Sequence, residues 1–537
     1  MRRLLGGSLA AVAAVLLIGL FTGSARATSL DCSEPYAAIC AEPSDSIGYG
    51  GEYTGHDEPS LLFYSNTPGS GNSSKYSIRL PSDPKVLPNQ AGTAGTWNFQ
   101  LHPAFWLGMA LCDNQSAPEF THAPCVPDSD TNIFDGTNEA APDYIGRHPG
   151  TAFLEVQFYP PGWAPWPPGV SCDASQWCAS MAIFSLNQDQ NTGVLNNDDC
   201  LNTVGLEPVN FAFITKSGVP HAPPSPLGAT AATFTPDPAT DLFMNSGDQL
   251  SVDVHDRSAG LTVIVDDHTT GTTGSMTASA ANGFAQILYE PNPSTCHQSP
   301  YSFRPMYATS SEHTRVPWAA HSYNVAFSDE IGHFEYCSAV AHEGGECLDN
   351  GEPALDGDDD GCFSAAFSLF VPIGGCIATD NDFDGVSYQR VWPGTDPNRG
   401  QDKKYHPSPI VFTSPVFNGS QNYDRVAFEA DLPRIEAADF GGNCNRFTGV
   451  GCVNPPPGSN FYPIYSTGTS TQNPSDNGHC VWQFGGPFIK GTTNTFGGNS
   501  AAQYGPLLFS FYPNPNPAIR LRTNNFRNVL SSNPCPA

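Results

Sequence analysis

The sequence predicts an all-β protein, a jelly-roll-like β-sandwich followed by a second β-rich, disulfide-stapled region. Three observations carry this. Glycine (52) and proline (50) are abundant while only 14% of residues are charged, so turn formers are plentiful and helix formers scarce. Several stretches alternate apolar and polar residues with period two, and few sustain a 3.6-residue period. Sixteen cysteines all stand behind an export signal, the setting in which disulfides form and persist.

The N-terminus begins Met1-Arg2-Arg3, continues as an apolar run from Leu4 to Leu20, and reaches Ala25-Arg26-Ala27. A basic start, an apolar middle and an A-x-A site make a secretory signal peptide spanning residues 1–27, with Thr28 as the mature terminus. No later stretch is long and apolar enough to span a bilayer, so the expectation is a secreted, extracellular protein without membrane insertion. The 22 basic residues face 52 acidic ones, and loss of Arg2, Arg3 and Arg26 with the signal takes the net charge from −30 to −33. Such a surface repels phosphate backbones and anionic lipid, which argues against nucleic acid as a partner and favours cations. Short spacings make Cys112–Cys125, Cys172–Cys178 and Cys444–Cys452 the first guesses for disulfides.

About 510 residues remain after cleavage by this reading, more than one core ordinarily holds. Residues 28–44 read as an N-terminal segment, 45–291 as the sandwich and 295–537 as the second region, with Pro291-Asn292-Pro293-Ser294 as the break. Strands are expected at Trp97–Leu101, Ala152–Tyr159, Leu250–Val254, Leu261–Val265, from Ser275 onward, and at Phe284–Glu290. In Ala152–Tyr159, Leu154, Val156 and Phe158 share one face, and Glu155, Gln157 and Tyr159 the other. Pro160 to Gly169 follows, a proline-rich loop that offers Trp163 and Trp166 as flat apolar platforms.

The runs AFLEVQFYPPGW and GDQLSVDVHDRSAGLTVIVDDHTTG resemble strands of concanavalin A-like jelly rolls, a superfamily of lectins and β-glucanases that extends to the eqolisin glutamic peptidases. The chain also resembles secreted bacterial β-sandwich proteins. In the glucanases alternating strand carboxylates act as nucleophile and acid; here the matching positions hold Glu155 and Gln157, so one carboxylate of the pattern is replaced. The eqolisin likeness implies instead a Gln–Glu pair, for which Gln157 and Glu290 are the candidates. The resemblance therefore implies an extracellular polymer as partner: glycan that is bound or hydrolysed, with Tyr159, Trp163 and Trp166 as binding residues. The alternatives are an acid peptidase acting on a protein substrate and a non-catalytic surface protein.

Two loops match D-x-D-x-D-G. They carry Asp380, Asp382 and Asp384 before Gly385, and Asp356, Asp358 and Asp360 before Gly361. Alternate carboxylates on a tight turn suit Ca2+, the expected structural cofactor; position 12 is Val391 or Phe367, so neither is an EF-hand. His321, His333 and Glu335 form a third polar cluster, with Cys337 and His342 beyond it. These are potential transition-metal ligands, though a hydrogen-bonded structural role is the simpler expectation. The chain has no G-x-S-x-G, H-E-x-x-H, Walker or dinucleotide motif, which argues against α/β-hydrolases, zincins, NTPases and dehydrogenases.

Overall fold

Alternation in Ala152–Tyr159 becomes a strand whose apolar side is completely buried: Leu154, Val156 and Phe158 are each 0% exposed. This computed structural model describes residues 48–49, 52–53, 60–65, 67, 69–83, 85, 103–116, 151–161, 172–188, 194–305, 318–324, 333–334, 408, 410–431, 434–435, 465–469, 480–484, 507–511, 522–530 and 532–537. The expected signal peptide and the strand at Trp97–Leu101 lie outside them.

In chain order the strands are β1 (Gly48–Tyr49), β2 (Glu52–Tyr53), β3 (Ser60–Tyr64), β4 (Ser73–Arg79), β5 (Pro103–Cys112), β6 (Thr151–Tyr159), β7 (Gln176–Phe184), β8 (Val209–Phe213), β9 (Phe243–Asn245), β10 (Gln249–Arg257), β11 (Gly260–Asp267), β12 (Thr272–Thr277), β13 (Ala285–Ile287) and β14 (Gln298–Pro300). They continue as β15 (Trp318–Asn324), β16 (His333–Phe334), β17 (Val411–Phe412), β18 (Val416–Phe417), β19 (Gln421–Asn422), β20 (Arg425–Asp431), β21 (Arg434–Ile435), β22 (Tyr465–Thr469), β23 (Cys480–Phe484), β24 (Leu507–Phe511) and β25 (Arg522–Leu530). Among the described residues one α-helix, α1, covers Asp198–Val204, and the Asn197 side chain caps it by accepting from the Cys200 N–H.

Two antiparallel sheets form the sandwich. The ten-stranded sheet runs β24-β25-β20-β3-β15-β5-β6-β7-β8, with β9 beside β7; the nine-stranded one runs β12-β11-β10-β4-β17-β23-β22, with β18 and β19 beside β4. Both sheets draw strands from either side of residue 295. The Pro291–Ser294 segment lies between β13 and β14, which pair with each other.

The meander reads as its sequence predicts. Leu250, Val252 and Val254 of β10 and Leu261, Val263 and Val265 of β11 all point into the core. Gly260 opens β11 at φ 142°, where a Cβ would stand 2.6 Å from the Ala278 carbonyl oxygen, so only glycine fits this corner. β12 starts earlier than Ser275, at Thr272, because the Asp267 carboxylate accepts from the Thr269 and Thr270 N–H groups and tightens the turn before it. Facing these residues across the sandwich are Leu154, Val156, Phe158, Trp177 and Met181 of the other sheet. Phe105 stacks on Phe158 at 4.8 Å, and Phe63 meets Trp482 edge-on at 6.2 Å. Each such side chain contributes about 1.5–3 kcal/mol on burial.

Three disulfides join described residues: Cys172–Cys178, Cys200–Cys296 and Cys480–Cys535. The first is one of the pairs expected from spacing. Cys112 is also disulfide-bonded; Cys125, Cys444 and Cys452 lie outside the described residues. Among the described residues no helix is long and apolar enough to cross a membrane.

Candidate functional site

The side of β6 turned away from the core carries Glu155, Gln157 and Tyr159. Antiparallel register sets their neighbours. Glu155 pairs with Gly108 of β5 and Ala182 of β7, and Gln157 pairs with Trp106 and Ser180. Small residues thus flank the carboxylate, while aromatic rings close the ends of the row. Trp106 and Phe153 cross over Gly108 with ring centroids 5.0 Å apart. A Cβ at Gly108 would lie 2.4 Å from both rings, so glycine is what lets them meet.

The polar groups form one directed chain. The Tyr159 hydroxyl donates to Gln157 Oε1, as does Ser180 Oγ at 3.5 Å, and Gln157 Nε2 donates to Glu155 Oε2 at 2.5 Å. With two hydroxyls on its oxygen, the Gln157 amide can only present its NH2 group to Glu155. Gln157 is 7% exposed, so the chain spans from buried to half-buried. Burial pushes the Tyr159 phenol up; the Ser180 hydrogen bond opposes this and the Glu155 charge adds to it. The phenol therefore stays protonated and remains the donor.

A second apolar layer roofs the β7–β8 side of this face. Phe211, Phe213, Cys178 and Ala182 are buried together, with Tyr159 and Phe234 against them. His221 stacks on Phe213 at 5.6 Å. Its Nδ1 lies 2.8 Å from the buried Asp241 carboxylate and its Nε2 lies 2.9 Å from the Ala232 carbonyl. Desolvation alone would lower the His221 pKa; the acceptors on both ring nitrogens and the charge of Asp241 outweigh it and raise the value.

Beyond the end of β6, the Cys172 N–H donates to the Pro160 carbonyl at 3.3 Å, and Cys172 is disulfide-bonded to Cys178 of β7. The residues flanking 162–171 are thus held together beside Tyr159. Trp163 and Trp166, within that segment, lie outside the described residues, as do Asp356, Asp358, Asp360, Asp380, Asp382, Asp384, Glu335, Cys337 and His342. No cluster of three metal-ligating side chains occurs among the described residues.

Glu155, Gln157 and Tyr159 are brought together. Glu290 is held elsewhere: its Oε2 lies 2.7 Å from His297 Nδ1, and its backbone is gripped by the Asn196 and Asn197 side chains. No hydrogen bond joins it to Gln157. The backbone of His321, on β15, pairs with Trp106 and so falls in the same cross-strand row as Gln157. His333 lies on β16, which pairs with β21.

Sequence reasoning missed Trp106, Gly108, Ser180 and the His221–Asp241 pair, whose places are set by register and by contacts across long loops. It also missed three buried acids. Burial raises the pKa of Asp113, against the hydrogen bonds it accepts from Gln115, Ser185 and Gln286. Burial likewise raises Asp248, and the neighbouring Asp267 carboxylate adds to the shift.

No protein-family model matches the chain, and no curated protein matches it. Among solved structures, an alginate lyase from Klebsiella pneumoniae aligns over 50% of this chain and 58% of that one, at 10% identity and a TM-score of 0.15. A likeness this slight carries no argument about activity. The concanavalin A-like resemblance thus has no sequence relative behind it, and the all-β sandwich stands on the structure itself.

Proposed function

We propose that this protein is a secreted glycan-binding protein whose binding face lies along the outer side of β6, where Glu155 and Tyr159 are half-buried and Gln157 orders them. The observation that supports this reading is the directed chain from Tyr159 through Gln157 to Glu155. It orders a carboxylate on a sheet face in advance, with small residues beside it and aromatic rings at the ends of the row. Sugars present hydroxyl donors, and a preordered acceptor answers them with little entropy to lose. Glycoside hydrolysis calls for two flanking carboxylates. The strand offers one carboxylate and one amide, so binding is what this pair can do unaided.

Trp163 and Trp166 belong to the proposal as a stacking platform, because the residues flanking their loop, Pro160 and Cys172, lie beside Tyr159. The test uses the secreted chain on a panel of soluble polysaccharides. Trp163→Ala or Trp166→Ala is expected to weaken binding by about 1–3 kcal/mol, the usual cost of truncating an anchor residue, with little change in melting temperature. Glu155→Gln is expected to reduce affinity without abolishing any turnover. Loss of measurable chain cleavage with affinity retained would show a hydrolase instead, and parent-like binding by all three variants would rule this face out.

A further inference from the structure

We infer that the outer face of the nine-stranded sheet holds a second binding site, built from Arg257 and Lys75, for a carboxylate-bearing sugar. It lies on the sheet opposite β6 and stands whatever β6 binds. On β10, Asp253, His255 and Arg257 alternate with the buried Val252 and Val254 and so point away from the core. His255 Nδ1 lies 2.8 Å from the Asp253 carboxylate, and Arg257 Nε donates to His255 Nε2. A guanidinium only donates, so the ring accepts at Nε2 and donates from Nδ1. The carboxylate thus holds the imidazole, and the imidazole holds the arginine. Arg257 is exposed, and its two NH2 groups have no hydrogen-bond partner among the described residues.

Lys75 joins from β4, where it is exposed and pairs in register with Asp253. The His255 hydrogen bond holds the Asp253 carboxyl below its ordinary range against the effect of burial, and the charges of Lys75 and Arg257 add to this, so both cations face the same acid. The other acids nearby are engaged elsewhere. Asp256 points to the opposite side of β10 and is forked by Arg304. Asp266 stands past Ile264 on β11 and accepts from Thr273. The adjoining β18–β19 hairpin, residues 416–422, carries no charge. In a chain with 52 acidic and 22 basic residues, two cations around one acid reverse the sign locally. A planar fork beside a point charge suits a carboxylate. Ser73 and Thr277, half-buried on the same face, offer hydroxyls that suit a sugar ring. The acidity of the whole chain repels dense polyanions such as nucleic acid, which favours a ligand with isolated carboxylates.

The experiment measures binding of the full secreted chain by calorimetry to trigalacturonate and to its fully methyl-esterified form. The ester keeps the ring hydroxyls and removes the charges, and should bind at least about tenfold more weakly. Arg257→Ala is expected to lower trigalacturonate affinity about tenfold. Arg257→Lys restores the charge without the fork and should recover only part of that loss. Lys75→Ala should cost about threefold, as an exposed charge does. His255→Phe keeps a ring and both cations but removes the hold on Arg257; a loss of about threefold would mark His255 as a positioning residue, since charge alone predicts no change. No binding of trigalacturonate, equal binding of acid and ester, or parent-like affinity in Arg257→Ala would overturn the site. Parent-like affinity in His255→Phe would overturn the orienting chain. Triglutamate bound as tightly as trigalacturonate would overturn the assignment to a sugar. The ester comparison needs the parent alone and decides the matter should a variant not fold.

Discussion

Replacing Cys200 and Cys296 together by alanine opens a loop that the chain closes over a sequence separation of 96 residues. No other cysteine lies between them, so nothing else cross-links that stretch internally. In the chain-entropy picture a bond across such a span constrains the unfolded state by about 4.7 kcal/mol at 25 °C. The same relation gives about 4.2 kcal/mol for Cys480–Cys535, separated by 55 residues, and about 2.2 kcal/mol for Cys172–Cys178, separated by 6. Hydrogen bonds that survive the change, such as the Cys296 N–H to Asp199 at 2.8 Å, keep the folded end near its native place. The expected order of loss is therefore set by loop length. Urea unfolding of the three double-alanine variants without reductant measures it, and the long-loop variant should also show a larger m value because its unfolded state is less constrained. Equal losses for the 96- and 6-residue loops would refute the entropic reasoning and point to local packing around each sulfur pair. The short bridge joins residues flanking 162–171, so on the glycan-binding reading its removal should lower affinity as well as stability.

Other consequences are simpler to state. His221 has a raised pKa in the folded protein, so its stabilising contribution is complete below about pH 6.5 and drains away as pH rises through the folded value. Melting temperatures of the parent should fall relative to His221→Gln across that rise, and parallel curves would contradict the assignment. Gly108→Ala drives a methyl into Trp106 and Phe153 and should cost about 1–3 kcal/mol in urea unfolding, as overpacking does; an unchanged midpoint would show that the rings move aside freely. If Asp380, Asp382 and Asp384 hold calcium, chelation should lower the melting temperature and added calcium restore it. A melting curve indifferent to chelator would refute a structural ion.

How far the sequence could be read follows from how each strand is buried. β6, β10 and β11 face the core on one side only, so their alternation was plain, and with it the shared face of Glu155, Gln157 and Tyr159. β7 is buried on both sides along most of its length, because the Phe211 and Phe213 layer covers its outer face. Its sequence, QWCASMAIF, has no period to read. β5 is nearly as uniform, which hid Trp106 and the purpose of Gly108. The stretch Phe284–Glu290 looked like one long strand, but only Ala285–Ile287 pairs with another strand. Asn196 and Asn197 side chains take over the backbone bonds beyond it, and Asn210 exchanges two more with Ala285. Side chains standing in for a strand leave no periodic trace. Pro291–Ser294 carried the composition of a linker and is the connection between two paired strands; composition alone does not separate the two.

The central claim is that a sugar sits on the outer face of β6. The most direct measurement is a crystal structure of the secreted protein with an oligosaccharide cut from whichever neutral polymer binds best. The account predicts a ring hydroxyl about 2.7–3.2 Å from the Glu155 carboxylate, with Gln157 still donating to Glu155 and Tyr159 still donating to Gln157. A well-ordered oligosaccharide bound away from β5, β6 and β7, with that hydrogen-bond chain left covered or broken, would contradict it.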